Sequence, residues 1–176
     1  MNHSEMQLLF SSEQISAEVR RLGKEISRDH EGRDLLLVGV LKGSFLFFAD
    51  LARTITAPVT IDFVRLASYG SETRTSGIVE IRKDLELPIE DQDVIIVEDI
   101  IDSGCTLETL YHRLLLRKPR SLKVCTLIDK RARREAPIEA DYVGLTLEDG
   151  FVVGYGLDYD EQYRNLPDIY LMDGTE

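Results

Sequence analysis

The feature that most constrains the fold is the segment from Val94 to Thr106, VIIVEDIIDSGCT. Its β-branched residues predict a buried strand that ends in two adjacent carboxylates, Glu98 and Asp99. A short loop of small residues then leads into a helical pattern that opens at Leu107. Open α/β sheets bind ligands at the carboxyl ends of their strands, and N–H groups at a helix N-terminus bind phosphate. Carboxylates that hold hydroxyl groups or Mg²⁺, next to such a loop, predict a site for a phosphorylated sugar.

The rest of the chain alternates between predicted strands and helices. Apolar runs predict strands over 35–40, 59–66, 94–97 and 122–128, and shorter ones over 78–81, 142–147 and 151–155. Helical spacing predicts helices over about 12–29, after a capping box at Ser11 and Gln14, over 45–55, and from Leu107 up to Pro119. This order predicts an α/β fold with a doubly wound, mostly parallel sheet flanked by helices, and a small additional lobe.

Composition excludes several classes of protein. The chain has 176 residues and a net charge of −11, which argues against a nucleic-acid partner because such surfaces need clustered Lys and Arg. Bound Mg²⁺ would offset that acidity at an anionic substrate. No apolar run approaches the roughly 20 residues of a membrane span, so we expect no membrane association and no signal peptide. Cys105 and Cys125 make no disulfide framework, which favours a cytoplasmic protein.

Five stretches of the sequence resemble one enzyme family. The segment around Asp102 resembles the phosphoribosyl diphosphate (PRPP) signature of type I phosphoribosyltransferases, in the version carried by hypoxanthine-guanine phosphoribosyltransferases. Four further stretches agree in order: Leu41–Ser44 (LKGS), Ser68–Gly70 (SYG), Asp129–Arg131 (DKR), and Phe151–Tyr159 (FVVGYGLDY), which runs on to Arg164. The likeness covers nearly the whole chain.

The resemblance implies a type I phosphoribosyltransferase fold in a single domain, 1–176. Its core is expected at about 30–130 and a hood lobe at about 1–29 and 131–176. It implies an Mg²⁺-dependent enzyme that transfers the phosphoribosyl group of PRPP to hypoxanthine, and to guanine, in purine salvage. It also implies a homodimer or homotetramer. A xanthine- or adenine-preferring enzyme and a regulatory protein that senses PRPP and binds RNA are the alternatives.

Asp102 is the expected catalytic residue. When a purine displaces pyrophosphate from PRPP, its imidazole nitrogen loses a proton, and a positioned carboxylate can accept that proton. The resemblance assigns this role, and part of PRPP binding, to Asp102. The alternative is an aspartate that only caps the following helix.

The resemblance assigns the remaining PRPP contacts to the same segment. Glu98 and Asp99 are expected to bind the ribose hydroxyls, directly or through Mg²⁺, with solvated strand-end charge as the alternative. The expected cradle for the 5-phosphate consists of Ser103, Gly104, Cys105 and Thr106. Cys105 stands where other family members carry Lys, so phosphate binding is expected to depend on backbone N–H groups and metal.

The pyrophosphate and purine contacts are expected from the other stretches. Lys42, Gly43 and Arg164 are assigned to pyrophosphate, with a non-proline cis peptide before Lys42, and Asp158 is assigned to a second Mg²⁺. The purine contacts are assigned to Lys130, Phe151, Val152 and Asp158. An ammonium group only donates hydrogen bonds, so Lys130 would select a 6-oxopurine over adenine. A core aromatic and a solvated loop charge are the alternatives for Phe151 and Lys130.

Two further loops complete the expectations. Residues 67–77 match the mobile lid of the family, with Ser68 and Tyr69 in its motif, and an ordinary exposed loop is the alternative. The cluster of Arg131, Arg133 and Arg134 is interpreted as a solvated loop beside the site.

Overall fold

The fold is built on two separate sheets. The computed structural model describes residues 6–68 and 79–172. Within these ranges the chain forms three helices: α1 (Ser12–Asp29), α2 (Phe45–Thr54) and α3 (Cys105–Leu115). In the same ranges the strands are β1 (Met6–Phe10), β2 (Leu35–Leu41), β3 (Val59–Ser68), β4 (Val79–Lys83), β5 (Asp93–Ile101), β6 (Ser121–Lys130), β7 (Tyr142–Leu147), β8 (Phe151–Val153) and β9 (Ile169–Met172).

The larger sheet has the order β4-β3-β2-β5-β6-β7. All neighbours in it are parallel except β4, which pairs antiparallel with β3. After β2 the chain crosses to one side to form β3, whereas after β5 it crosses to the other side to form β6. Connections that diverge in this way open a crevice at the carboxyl ends of the two central strands. The predicted doubly wound, mostly parallel sheet is confirmed.

Alternate residues of the central strands bury two hydrophobic layers, one on each face of this sheet. On one face, Leu35 and Leu37 pack in a cluster with the buried sides of α1 and α2. On the other face, Leu36 and Val38 pack in a cluster with the buried side of α3. Burial on both faces explains why these strands read as continuous apolar runs in the sequence.

Helix α1 begins where the sequence predicts. The Ser11 side chain accepts a hydrogen bond from the backbone of Gln14, and the Gln14 side chain accepts one from the backbone of Ser11, so both halves of the capping box are formed. Its buried side contains Ile15, Val19 and Leu22, at the spacing of one helical face.

The strand–loop–helix segment differs from its prediction at both ends. Strand β5 does not end at Val97 but continues through Glu98 and Asp99 to Ile101, because the ladder with β6 extends to the pair Ile101–Asp129. Helix α3 begins at Cys105 rather than at Leu107. Gly104 is its N-cap and has the left-handed φ of 81°, so the helix starts directly after this glycine. The loop between strand and helix is therefore shorter than predicted.

The smaller sheet has the order β1-β9-β8 and is antiparallel. The sequence patterns did not predict β1 or β9. Strand β7 follows residue 130 but lies in the larger sheet, parallel to β6. The expected core–hood division at that residue therefore does not coincide with the boundary between the sheets. Within 6–68 and 79–172, no helix is both long and apolar enough to cross a membrane.

Candidate active site

The carboxyl ends of β2, β5 and β6 bring the predicted site segments together. The register of β2 against β5 pairs Gly39 with Val97, so the loop after β2 lies next to the acid pair of β5. The pairing of Ile101 with Asp129 sets the residues that follow, Asp102 and Lys130, side by side. The Leu41–Lys42 peptide is cis, as the resemblance implied.

The loop after β5 forms one wall of a small cavity. Gly104 adopts a left-handed conformation, and its carbonyl accepts a hydrogen bond from Glu108 N at 2.8 Å in the first turn of α3. A cavity of about 160 Å³ opens at this helix N-terminus, and its lining comprises Glu98, Ile100, Ile101, Asp102, Ser103, Gly104, Thr106 and Leu107. The predicted phosphate cradle thus surrounds a concave, polar space, except that Cys105 does not line it.

A larger cavity lies away from this loop. It has a volume of about 550 Å³ and is bordered by α1, α2 and the residues around Tyr155 and Pro167. None of the predicted site residues lines it. The chemistry therefore favours the smaller cavity, where carboxylates and a helix N-terminus converge.

The acid pair lies against the loop after β2, with Asp99 buried and Glu98 partly buried. Asp99 Oδ1 accepts a hydrogen bond from Ile100 N at 2.9 Å, and Glu98 Oε1 accepts one from Asp99 N at 3.3 Å. Burial and then the charge of Asp99 raise the pKa of Glu98 well above its ordinary value, and burial also raises the pKa of Asp99. A methyl group added at Gly43 would overlap the Asp99 carboxylate, so only glycine allows this approach.

These two carboxylates are suited to a divalent cation. Two like charges side by side, one buried and one partly buried, are costly, and a bound cation would relieve their repulsion. Mg²⁺ is commonly held by one or two carboxylates together with substrate phosphates, and this pair fits that pattern. Within the described part of the chain, no group of three or more His, Cys, Asp or Glu side chains could hold a metal. Asp158 does not join Glu98 and Asp99 in such a group.

Lys130 joins the PRPP segment to the predicted purine pocket. Its Nζ lies 3.5 Å from Asp102 Oδ2 and 3.5 Å from Asp149 Oδ1, and its side chain is buried. Among the described residues, Asp102 Oδ1 is also buried but has no hydrogen-bond partner. The Asp102 side chain as a whole is 44% exposed, so its carboxylate is in contact with a cation and is also open to a substrate on its exposed side.

The predicted pyrophosphate residues are already paired with carboxylates. Lys42 Nζ lies 2.6 Å from Glu161 Oε2, and Arg164 Nη2 lies 3.5 Å from the same oxygen. Arg164 also contacts Asp158 Oδ1 at 2.8 Å and donates to Gly156 O at 2.7 Å. The hydrogen bond from Lys42 lowers the pKa of Glu161. Lys42 and Arg164, the two cations assigned to pyrophosphate, thus share Glu161 as an ion-pair partner.

The remaining purine residues lie on β8 and after it. Phe151 is partly exposed and contacts Tyr159 edge to face, with ring centroids 5.7 Å apart, whereas Val152 is buried. Because Phe151 is exposed, the alternative of a core aromatic is wrong. Lys130 is buried between two carboxylates, so the alternative of a solvated loop charge is wrong as well.

The predicted lid lies almost entirely outside the described residues. Ser68 is the last residue of β3. Tyr69 and the rest of the expected lid, up to residue 77, lie in the undescribed range.

The model of the phosphoribosyl transferase domain family matches residues 9–160. The chain belongs to the phosphoribosyl transferase family. This phosphoribosyl transferase is 49% identical to a hypoxanthine-guanine phosphoribosyltransferase of Mycobacterium bovis, over 94% of this chain and 85% of that protein. It is 47% identical to a protein of the same name from Bacillus subtilis, over 96% and 94%. The predicted resemblance is confirmed.

Solved structures agree with this phosphoribosyl transferase in fold. A hypoxanthine-guanine phosphoribosyltransferase of Bacillus anthracis superposes with a TM-score of 0.91 and 48% identity, covering 94% of this chain and 98% of that chain. A hypoxanthine phosphoribosyltransferase of Staphylococcus aureus gives a TM-score of 0.93 and 45% identity, covering 97% and 93%. The predicted fold class is confirmed.

Sequence reasoning missed three residues of this phosphoribosyl transferase that contact the predicted site. Asp149 contacts Lys130, and Glu161 contacts Lys42 and Arg164. The side chain of Arg134 is only 14% exposed and pairs with Asp129, so its interpretation as part of a solvated loop is wrong. All three lie in irregular segments, where no periodic pattern distinguishes a buried polar side chain from an exposed one.

Proposed function

We propose that this enzyme transfers the 5-phosphoribosyl group of PRPP to the imidazole nitrogen of hypoxanthine, and of guanine. The products are the nucleoside monophosphates IMP or GMP, and pyrophosphate. The contact between Lys130 and Asp102 at 3.5 Å carries this proposal. It places a buried hydrogen-bond donor suited to a 6-oxopurine next to a carboxylate suited to accept the purine's proton. The names of the Mycobacterium and Bacillus relatives support the same reaction.

Asp102 acts as the general base in this proposal. As the purine nitrogen forms its bond to the anomeric carbon of the ribose, the bond from that carbon to the diphosphate oxygen breaks. The electron pair leaves on the diphosphate, and the proton of the purine nitrogen passes to Asp102. The Asp102 side chain is 44% exposed and its Oδ2 lies 3.5 Å from Lys130 Nζ, whereas Oδ1 is buried. We therefore assign the proton to the exposed side of this carboxylate.

The loop after β5 holds the 5-phosphate. Ser103 and Thr106 line the cavity with hydroxyl groups, and Gly104 lines it with backbone alone. Cys105 begins α3, and its backbone N–H belongs to the helix N-terminus, which favours an anion. Glu98 lines the same cavity and is suited to a ribose hydroxyl or to the cation that holds it.

Glu98 and Asp99 would hold Mg²⁺, and Asp158 would contribute to a second site near Arg164. Bound Mg²⁺ offsets the negative charge that develops on the departing diphosphate. Lys42, Gly43 and Arg164 bind the pyrophosphate part, after Lys42 and Arg164 leave Glu161. Before the substrate arrives, the shared pairing with Glu161 keeps the two cations near each other.

Lys130, Phe151 and Val152 define the base that is accepted. The Lys130 ammonium donates to the exocyclic oxygen of a 6-oxopurine and has no acceptor for the amino group of adenine. Phe151 offers an exposed ring for stacking, and the backbone of Val152 is suited to read the purine edge. Asp158 lies at the pyrophosphate side through its pairing with Arg164.

Three further properties complete the proposal. Ser68 and Tyr69 belong to a lid that closes over the reacting groups and excludes water.

The enzyme works in the cytoplasm as a homodimer or homotetramer on small-molecule substrates, without nucleic acid or membrane. Its domain organisation is a single domain with a hood that includes the smaller sheet.

A steady-state assay with PRPP and Mg²⁺ tests the proposed reaction. Hypoxanthine, guanine, xanthine and adenine are compared, and we expect turnover of hypoxanthine and guanine with adenine rejected. Lys130→Ala is expected to raise the KM for hypoxanthine and to weaken the discrimination against adenine. Lys24→Ala, an exposed charge on α1, is the control and should leave both values unchanged. Absence of turnover with every base would contradict the proposal and favour a regulatory protein.

A further inference from the structure

Arg134 lies behind the loop that connects β5 to α3. Its Nε donates to Asp102 O at 3.1 Å, and its Nη2 donates to Ile101 O at 3.4 Å. Its Nη1 donates to Ile138 O at 2.8 Å. The guanidinium therefore holds carbonyl groups at the end of β5 together with a segment more than thirty residues away. Its side chain is 14% exposed, so these contacts are protected from water.

The segment that carries Arg134 also binds the next carbonyl of the loop. The backbone N–H groups of Glu135 and Ala136 donate to Ser103 O at 2.9 Å and 3.0 Å. Two successive carbonyls, those of Asp102 and Ser103, are thus held from the same side. A methyl group added at Gly104 would lie 2.8 Å from Ile138 Cγ2 and 3.2 Å from the Arg134 side chain, which shows how closely the segment packs on the loop.

This anchoring determines the direction of the loop's N–H groups. In a trans peptide the C=O and N–H bonds point in opposite directions. Because the carbonyls of Asp102 and Ser103 point back to the 134–136 segment, the N–H groups of Ser103 and Gly104 point the other way. Because Ser103 and Gly104 line the small cavity, we infer that these N–H groups face it.

The charge of Arg134 is not available to a ligand in that cavity. The guanidinium pairs with Asp129, which is buried at the end of β6. The loop residues 103–106 contain no Lys or Arg. Apart from the hydroxyl groups of Ser103 and Thr106, anion binding in this cavity therefore depends on backbone N–H groups. The directions of these groups depend on the residues behind the loop.

We propose that Arg134 is a positioning residue for the phosphate loop. By holding the carbonyls of Ile101 and Asp102, it aims the N–H groups of the loop at the 5-phosphate and fixes the backbone from which the Asp102 side chain extends. This inference rests on the proposed function for the identity of the ligand. Arginine suits the role because its fork of donors is rigid and reaches several carbonyls at once, whereas an ammonium is a point charge on a flexible stem.

Arg134→Lys keeps the positive charge at this position but removes the rigid set of hydrogen-bond donors that arginine provides. We expect the dissociation constant for ribose 5-phosphate, measured by calorimetry, to rise about ten-fold or more, since hydrogen bonds from a charged donor are lost. The KM for PRPP should rise by a similar factor, whereas the KM for hypoxanthine should change much less. Arg131→Ala is the matched control, because Arg131 also pairs with Asp129, at 2.8 Å, from an exposed position. It should leave ribose 5-phosphate binding unchanged.

The outcomes are distinguishable. Ribose 5-phosphate affinity within about two-fold of the wild type in Arg134→Lys would overturn the inference, since one lost hydrogen bond exceeds that effect. Equal losses for PRPP and hypoxanthine with a lower melting temperature would also overturn it, because they indicate a general structural role. If Arg134→Lys does not fold, Arg134→Gln is measured and judged by the same criteria. Binding needs no turnover, so a wild type that binds ribose 5-phosphate but is inactive on every purine contradicts only the proposed function.

Discussion

The two ends of the site that are proposed to bind phosphate are organised in different ways. At the loop after β5, backbone carbonyls are held from behind by Arg134 and by the N–H groups of Glu135 and Ala136. At the other end, Lys42 and Arg164 both pair with Glu161, a carboxylate that would compete with the proposed pyrophosphate. The first end can bind its ligand without rearrangement, whereas the second must exchange one anion for another.

Under the proposed function, this difference means that affinity is controlled at the first end and release at the second. A preorganised donor array loses little entropy on binding and suits the phosphate that stays with the product. The cations at the other end exchange between Glu161 and pyrophosphate, which suits the group that has to leave. The side chains of Glu161 and Lys42 are 63% and 45% exposed, so the energy of their ion pair is small and sensitive to salt.

The largest expected effect concerns Asp102, the residue proposed to accept the proton. Asp102→Asn should lower kcat by about 10² to 10⁴, because it removes general-base catalysis. Ribose 5-phosphate binding should remain close to that of the wild type, since the loop backbone is unchanged. Steady-state kinetics and calorimetry measure these values. Near-normal turnover would remove Asp102 from this role.

A second large effect is expected at Gly43, next to the acid pair. In Gly43→Ala the added methyl group would overlap the Asp99 carboxylate and displace it. Misplacement of this kind by about 1 Å can cost about 10² in rate, so we expect a fall of that size in kcat/KM for PRPP. Inorganic phosphate, which lacks the ribose hydroxyls, reports on the loop after β5 alone, and its binding should change much less. An unchanged kcat/KM would show that the approach of Asp99 to Gly43 is not needed.

A moderate effect is expected in the pH dependence of stability. Because burial and the Asp99 charge raise the pKa of Glu98 in the folded state, the folded protein holds more protons than the unfolded one above the ordinary glutamate range. The free energy of unfolding of the metal-free protein should therefore fall as the pH rises from the ordinary pKa of glutamate towards the raised one. Thermal unfolding in the presence of a chelator measures this slope.

Glu98→Gln should flatten that slope, because it removes the group responsible. Glu90→Gln is the control, since Glu90 is exposed at the opposite end of the sheet's strands, before β5, and should keep the wild-type slope. If the slope is equally steep in Glu98→Gln and in the wild type, the pH dependence of stability does not come from the acid pair.

The smallest effect is expected at Glu161. Glu161→Gln should tighten pyrophosphate binding by up to about five-fold, the range of an exposed ion pair, because it weakens the competitor for Lys42 and Arg164. The gain should shrink as salt is added. Asp160→Asn, at an exposed neighbouring position, is the control for a general change of charge. Weaker pyrophosphate binding in Glu161→Gln would show that Glu161 assists the ligand rather than competes with it.

The sequence predicted those parts of the fold and site that depend on local patterns. Strand β5, helix α3 and the capping box of α1 are specified by residues within a few positions of one another. Strands β1 and β9 were missed because they are short and pair across almost the whole chain, as in Met6 with Met172. The role of Arg134 was missed for a similar reason, since its partner Asp102 lies 32 residues away. Contacts of this kind depend on the tertiary fold.

The contrast between the two ends is tested most directly by one crossed calorimetric measurement. Ribose 5-phosphate and pyrophosphate, each with Mg²⁺, are titrated into Arg134→Lys and into Glu161→Gln. We predict that Arg134→Lys weakens ribose 5-phosphate binding and leaves pyrophosphate binding near the wild type. Glu161→Gln should tighten pyrophosphate binding and leave ribose 5-phosphate binding unchanged. If either substitution changed both affinities by the same factor, the account of one preformed end and one exchanging end would be contradicted.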